Sequence, residues 1–277
     1  MQSSNPVLNR SDAFAPGHGQ AYPGAAPYGQ QAPNGYGYGG SGMPPQQYQG
    51  APAASRPMTL DDVIVKTAIT LAVVVAAAAV AWWMVPATLV TPAFLAGALV
   101  AFAIAMVLSF SRKVNPALLM LYAVAEGVFL GIGSKFIAHW VGDPGIIVQA
   151  VLATMVTAGL TLATYKYFAI KVTPKFTRMV VIGTMGFAGV LLINLLLSLF
   201  GVSTGINGFG PMGLLFAAIG AGLAVFNLIL DFDLVEQGIR QGAPQNEAWR
   251  AAFALTVTLV WLYWNILRIL AILRGGD

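Results

Sequence analysis

The chain has 277 residues, of which 57% are hydrophobic and 9% charged, against about 25% charge in ordinary soluble domains. With roughly 20 residues per helical crossing, such a chain has room for several spans and no sizeable soluble domain, so a polytopic all-α membrane protein is expected. Its formal net charge of +4 does not point to nucleic acid, because the basic residues fall in short loops between apolar runs and not on one face. The absence of cysteine excludes disulfides, thiolate catalysis, iron–sulfur ligation and thiolate-bound zinc.

Residues 1–57 form a different regime, in which Tyr22, Tyr28, Tyr36, Tyr38 and Tyr48 are spaced by Pro, Gly and Gln. A segment this poor in branched aliphatics does not bury enough surface to offset its chain entropy, which predicts a disordered cytoplasmic tail. No apolar core follows a charged start there, so it does not read as a secretory signal peptide. Residues 58–277 are expected to form the transmembrane domain.

Thr59, Leu60, Asp61 and Asp62 have the form of a capping box, and the apolar run Val63 to Val85 behind them is the first predicted span. Pro86 ends it, and Trp82 and Trp83 suit an interface. The second span runs from Pro92 to Phe110, closed by Ser111, Arg112 and Lys113. Asn115 and Pro116 open a third that reaches about Trp140, and Pro144 opens a fourth that ends near Tyr165 and Lys166. The fifth runs from Met179 to Phe200. An uncharged glycine-rich link, Gly201 to Gly210, leads to the sixth, from about Met212 to Gln237, and the seventh runs from about Ala251 to Leu273.

Seven spans put alternate loops on opposite sides. One set holds Arg112, Lys113, Lys166, Lys171, Lys175, Arg178, Arg240 and Arg250, and the other almost no basic residue. The positive-inside rule then puts the N-terminus in the cytoplasm and the C-terminus outside. Lys135, Arg268 and Arg274 run against this, but each lies within a few turns of a helix end and is able to snorkel.

Depth follows from 1.5 Å per helical residue. Glu126 stands eleven residues beyond Asn115, roughly 16 Å in and near mid-bilayer, where a carboxylate must be neutral or partnered. Asn227 and Asp231, four apart, share a helix face that is expected to look into the bundle. Asp233 points elsewhere, toward Glu236 and Gln237, and Glu236 is spaced to pair with Arg240 as an ordinary helix end, while Asp233 stays a candidate for an ion or proton path with Glu126, Asp231 and Asn227, supported by Asn265 and Arg268. Thr154, Thr157, Thr161 and Thr164 recur at helical spacing, as do Asn194 and Ser198, and read first as interhelical glue. Gly127 and Gly131 form a small-xxx-small pair that lets another helix approach Glu126. In span seven, Asn265 and Arg268 lie one turn apart, and Arg268 either snorkels outward or pairs inward with an acid.

Enzyme chemistry finds no support. His18 lies in the tail and His139 at the end of span three, so there is no histidine pair for a metal and no Ser/His/Asp set. HExxH and a phosphate-cradling glycine loop with lysine are missing. No cofactor is expected.

Three places carry a family resemblance: Asn5 to Arg10 (NPVLNR), Ala125 to Gly131 (AEGVFLG), and Asn227 to Asp233 (NLILDFD) with the closing Trp261-Leu262-Tyr263 and Leu267 to Leu270. Together they resemble the Bax inhibitor/YccA family, also called TMBIM, in its actinobacterial form, from about residue 58 to the end. The resemblance implies a seven-helix bundle in a bacterial plasma membrane that acts as a pH-sensitive calcium leak. In that picture an aspartate of span six shares a proton with one of span seven, and Asp231 holds the span-six position. Leu262, Tyr263, Trp264 and Asn265 stand where the partner carboxylate is expected. A substitute is Glu126, if spans three and six pack together, since two close carboxylates hold one proton between them and release it to a divalent cation. Calcium prefers six to eight oxygen ligands, so Glu126, Asp231 and Asn227 would need carbonyls and water, as in a weak permeation site. YccA-like relatives also imply an alternative, a non-transporting regulator that binds a membrane protease or other membrane complex.

Overall fold

A computed structural model describes residues 56–167, 171–202 and 204–275. The stretch read as a disordered tail therefore lies outside the described residues, apart from Arg56 and Pro57. Seven helices among the described residues are long and apolar enough to cross a membrane: α1 (Leu60–Met84), α2 (Val90–Phe110), α3 (Pro116–Val141), α4 (Gly145–Tyr167), α5 (Pro174–Leu199), α6 (Pro211–Arg240) and α7 (Glu247–Arg274).

The local signals act where expected. Thr59 and Asp62 form the reciprocal capping box of α1, with Asp62 N donating to Thr59 Oγ1 at 3.2 Å and Thr59 N to Asp62 Oδ2 at 3.1 Å. Asn115 caps α3 by accepting from Ala117 N at 2.9 Å, with Pro116 in the first turn. Gly142 ends α3 at φ 77°, a left-handed conformation that costs glycine little. Helix α5 starts about five residues before the predicted Met179, because Thr173 accepts from Phe176 N at 3.2 Å and Pro174 tolerates the first turn. Its first turn carries Lys175 and Arg178, which apolar counting alone leaves out.

Helices α3 and α7 are the most enclosed, with 56% of each one's spanning window buried against 11–33% elsewhere. In a bilayer the outward face must be apolar too, so the core helices are distinguished by packing and not by hydropathy. The closest approach is α1 on α3. A Cβ on Gly127 would meet Ala77 Cβ at 2.7 Å, and one on Gly131 would meet Ala78 Cα at 2.8 Å, so only glycine lets these backbones touch. Helix α7 lies against α1, α4 and α6, while α2 packs on α3 and α5 packs on α6, with Phe187 of α5 also ring to ring with Trp261 of α7, centroids 5.9 Å apart. Large apolar side chains of these two outer helices, Leu99 and Phe102 on α2 and Ile182 and Met185 on α5, face outward.

Where the chain enters the bundle, residues 56–58 run antiparallel to the α6–α7 turn. Met58 N donates to Ala243 O at 2.7 Å and Gln245 N to Arg56 O at 3.0 Å. Lys66 Nζ donates to Gln245 O at 2.9 Å and lies over the Trp249 ring, so the first and last helices are tied at this end.

Candidate ion site

Asp231 is half-buried on α6, among the buried Leu228, Ile229 and Leu230. Its carboxylate accepts from Thr258 Oγ1 of α7 at 2.6 Å. Thr258 is itself buried and stands one turn before Leu262, so the polar partner of Asp231 precedes the Leu262 to Asn265 region where the sequence led us to look. A hydroxyl occupies the position across from the carboxylate. A single threonine in an apolar helix carries no signal of its own, because most such threonines bond their own helix, as Thr256 does to Ala252 O.

Asn227, one turn before Asp231, turns the other way. Its Nδ2 donates to Thr184 Oγ1 of α5 and to Leu223 O, both at 2.8 Å. The shared helix face expected for the pair is therefore split between two neighbours, α7 for Asp231 and α5 for Asn227. Asp233 looks to α4. Tyr165 donates to Glu236 Oε2 at 2.6 Å and to Asp233 Oδ1 at 3.3 Å, Gln237 donates to Asp233 Oδ2 at 2.5 Å, and Arg240 pairs with Glu236 at 3.3 Å. This is the helix-end cluster foreseen for Glu236 and Arg240, with Tyr165 added.

Glu126 is half-buried on α3, with the buried Tyr122 one turn earlier on the same helix. Helices α3 and α6 do not pack together, because α1 and α7 each lie against both. The shared Glu126 and Asp231 site is thus not formed: the condition on which it rested fails. Among the described residues the ion pairs are Arg56–Asp62, Arg240–Glu236, Arg250–Glu247 and Arg274–Asp143, so neither Glu126 nor Asp231 faces a cation. No group of three or more His, Asp or Glu side chains gathers there to hold a resident metal.

The remaining polar groups have local partners. Asn265 is buried, donates to Trp261 O at 2.8 Å and packs onto Gly220 of α6. Arg268 neither snorkels nor meets an acid, since it is buried and its Nη2 donates to Ile206 O at 2.8 Å. Lys135 reaches the end of α1, donating to Trp82 O and Val85 O at 2.9 Å each, where the last carbonyls of a helix lack partners. Two threonines of α4 turn inward on their own backbone, Thr154 to Ala150 O and Thr161 to Thr157 O at 2.7 Å each, so these two contribute to helix contact by packing and not by hydrogen bonding.

Two half-buried carboxylates on separate helices, one bonded to a hydroxyl across a helix seam and neither neutralised by a cation, form an arrangement able to exchange protons or attract a passing cation. Against known proteins, the family model described as Bax inhibitor 1 like matches residues 5–275, a span that takes in most of the N-terminal stretch as well as the seven helices. No curated protein matches the chain.

Proposed function

Because the chain belongs to the Bax inhibitor 1 like family, we propose that this multi-pass membrane protein is a pH-sensitive leak for cations, calcium among them, with Asp231 as its sensor. The observation that carries the reading is the Asp231–Thr258 hydrogen bond across the α6–α7 seam, in which the carboxylate has a hydroxyl partner and no cationic one. Proton occupancy of such a carboxylate adds or removes a full negative charge at the seam. A cation approaching Asp231 competes with the Thr258 hydroxyl and with any proton there. Only the ionised carboxylate attracts the cation, so flux rises as pH rises.

Glu126 is a second acid on the path, displaced onto α3 and flanked by Tyr122. It acts in series with Asp231 and not as a shared pair. Calcium crosses as cargo, held by one carboxylate at a time with carbonyls and water completing its oxygen shell. The host membrane is a bacterial plasma membrane. The end bearing Arg112, Lys113, Lys171, Lys175, Arg178, Arg240 and Arg250 is cytoplasmic, in keeping with the loop charge asymmetry.

The test is calcium flux into liposomes holding the purified protein, between about pH 6 and about pH 8, with Asp231→Asn and Glu126→Gln alongside. The expected result is a pH-dependent flux whose pH response Asp231→Asn weakens, with Glu126→Gln changing what remains. Flux no greater than in protein-free vesicles at every pH would overturn the leak and favour a regulator that binds a membrane complex without transporting.

A further inference from the structure

At the opposite end of the bundle from the Asp62 and Gln245 contacts, a cavity of about 500 Å³ opens between α2, α3, α7 and the link that joins α5 to α6. Its size is that of a small-molecule site. Arg268 of α7 lines it and is only 7% exposed. The guanidinium makes one hydrogen bond, from Nη2 to Ile206 O, and no ion pair among the described residues. The side-chain nitrogen or oxygen that is sealed off without a partner among the described residues is Thr67 Oγ1. The Arg268 nitrogens that bond nothing are therefore not sealed off, and Arg268 is part of the cavity lining.

A charge withdrawn from water inside a membrane protein is costly unless an opposite charge or a full set of acceptors meets it. One carbonyl does not supply that for five N–H donors. The surroundings add to the same sign. The space beside Gly213, in the first turn of α6, is 3.6 Å from Arg268 Nη2, and the α6 start has Gly210 at its cap position with no side-chain acceptor. The positive end of a helix and a buried guanidinium thus lie side by side.

The walls are of the opposite character. Phe94 of α2, Phe129 of α3 and Trp264 of α7 stand ring to ring, with centroids 4.8 Å apart for Phe94 and Phe129 and 5.4 Å for Phe129 and Trp264. Thr91 and Asn207, both exposed, give the cavity polar groups besides Arg268. A bare inorganic anion would leave the aromatic surface unused, and an apolar molecule would leave the guanidinium unpaired.

We propose that this cavity binds an amphiphilic anion, whose carboxylate or phosphate oxygens take the free N–H groups of Arg268 while its apolar body seats against Phe94, Phe129 and Trp264. The oxyanion comes from either of two sources, a soluble organic acid or an anionic lipid of the adjoining leaflet. The site is separate from Asp231, and its existence does not depend on ion flux.

The experiment is calorimetric titration of the full chain in phosphatidylcholine nanodiscs with 1-naphthoate and with its uncharged analogue 1-naphthalenemethanol, empty nanodiscs correcting for partition. Wild type is compared with R268Q, R268K and T91W, the last placing a ring at an exposed position on the cavity rim. Saturable naphthoate binding at least about tenfold tighter than the alcohol, weakened at least about tenfold by R268Q, less by R268K, and weakened by T91W, is the result expected. Repeating the titration in nanodiscs containing phosphatidylglycerol separates the sources: loss of naphthoate binding assigns the site to lipid, and unchanged binding to a soluble acid. Naphthoate binding no tighter than the alcohol in wild type would overturn the proposal, a result that needs no variant to fold. So would binding untouched by both R268Q and T91W.

Discussion

Thr258 Oγ1 donates to Asp231 Oδ2 over 2.6 Å, across a seam in which α6 and α7 run together along most of their length. Removing the donor alone, as in Thr258→Val, leaves a half-buried carboxylate without its partner and should cost about 1–3 kcal/mol. Removing both groups, as in Asp231→Leu with Thr258→Val, leaves an apolar seam and should cost less than the two single changes summed. Thermal unfolding in detergent, followed by helical circular dichroism, measures all three. Additive losses would mean that the two groups are not coupled, and the sensor role of Asp231 would lose its structural basis.

The glycines separate into two kinds by what surrounds them. At Gly131 a new methyl group meets the Ala78 backbone, with Cα at 2.8 Å and C at 2.9 Å, so Gly131→Ala must push α1 off α3 and should destabilise by at least about 2 kcal/mol. Gly159 and Gly186 lie inside α4 and α5 with open space around the position of a Cβ. Alanine at either should stabilise by about 0.5–1 kcal/mol, because a helix interior charges glycine its extra chain entropy. The same melting assay reads both signs, and a stabilising Gly131→Ala would refute the close α1–α3 contact.

Much of this fold was legible in the chain because membrane helices announce themselves by length and apolarity, and Thr59, Asn115 and Pro116 punctuate them where the chain turns. Which helices touch was not legible. Apolar residues face lipid and core alike, so nothing in the pattern told that α1 and α7 stand between Glu126 and Asp231. The individual acids were found because carboxylates are rare in such sequence. Their partners Thr258 and Tyr165, and the Thr184 that Asn227 bonds, were missed because hydroxyls are common there. Asn227 was expected to face the bundle beside Asp231, yet it is half-buried and bonds a threonine of α5.

That neighbour makes Asn227 testable as an anchor. Among the described residues helix α5 packs mainly on α6, reaching α7 through the Phe187–Trp261 ring pair, and the Asn227–Thr184 hydrogen bond crosses the α5–α6 contact. Asn227→Leu should therefore loosen α5 selectively, with backbone hydrogen exchange accelerating through Pro174–Leu199 while α1 and α3 keep their protection. A uniform acceleration over all helices would point instead to general destabilisation. If exchange in α5 is unchanged, packing alone holds it and the bond is dispensable.

The proposed orientation has a direct check because the sequence contains no cysteine, so any single cysteine is a unique label. Lys113, exposed beside Arg112 in the α2–α3 turn, belongs to the basic end, and Val202, exposed in the α5–α6 link, to the other. A membrane-impermeant maleimide applied to intact cells should modify Val202→Cys and spare Lys113→Cys until the membrane is permeabilised. The reverse pattern would put the basic loops outside, against the charge rule. It would also turn the Arg268 cavity, which opens beside the Val202 link, toward the cytoplasm, and the acids able to reach it would then be those of the cell interior.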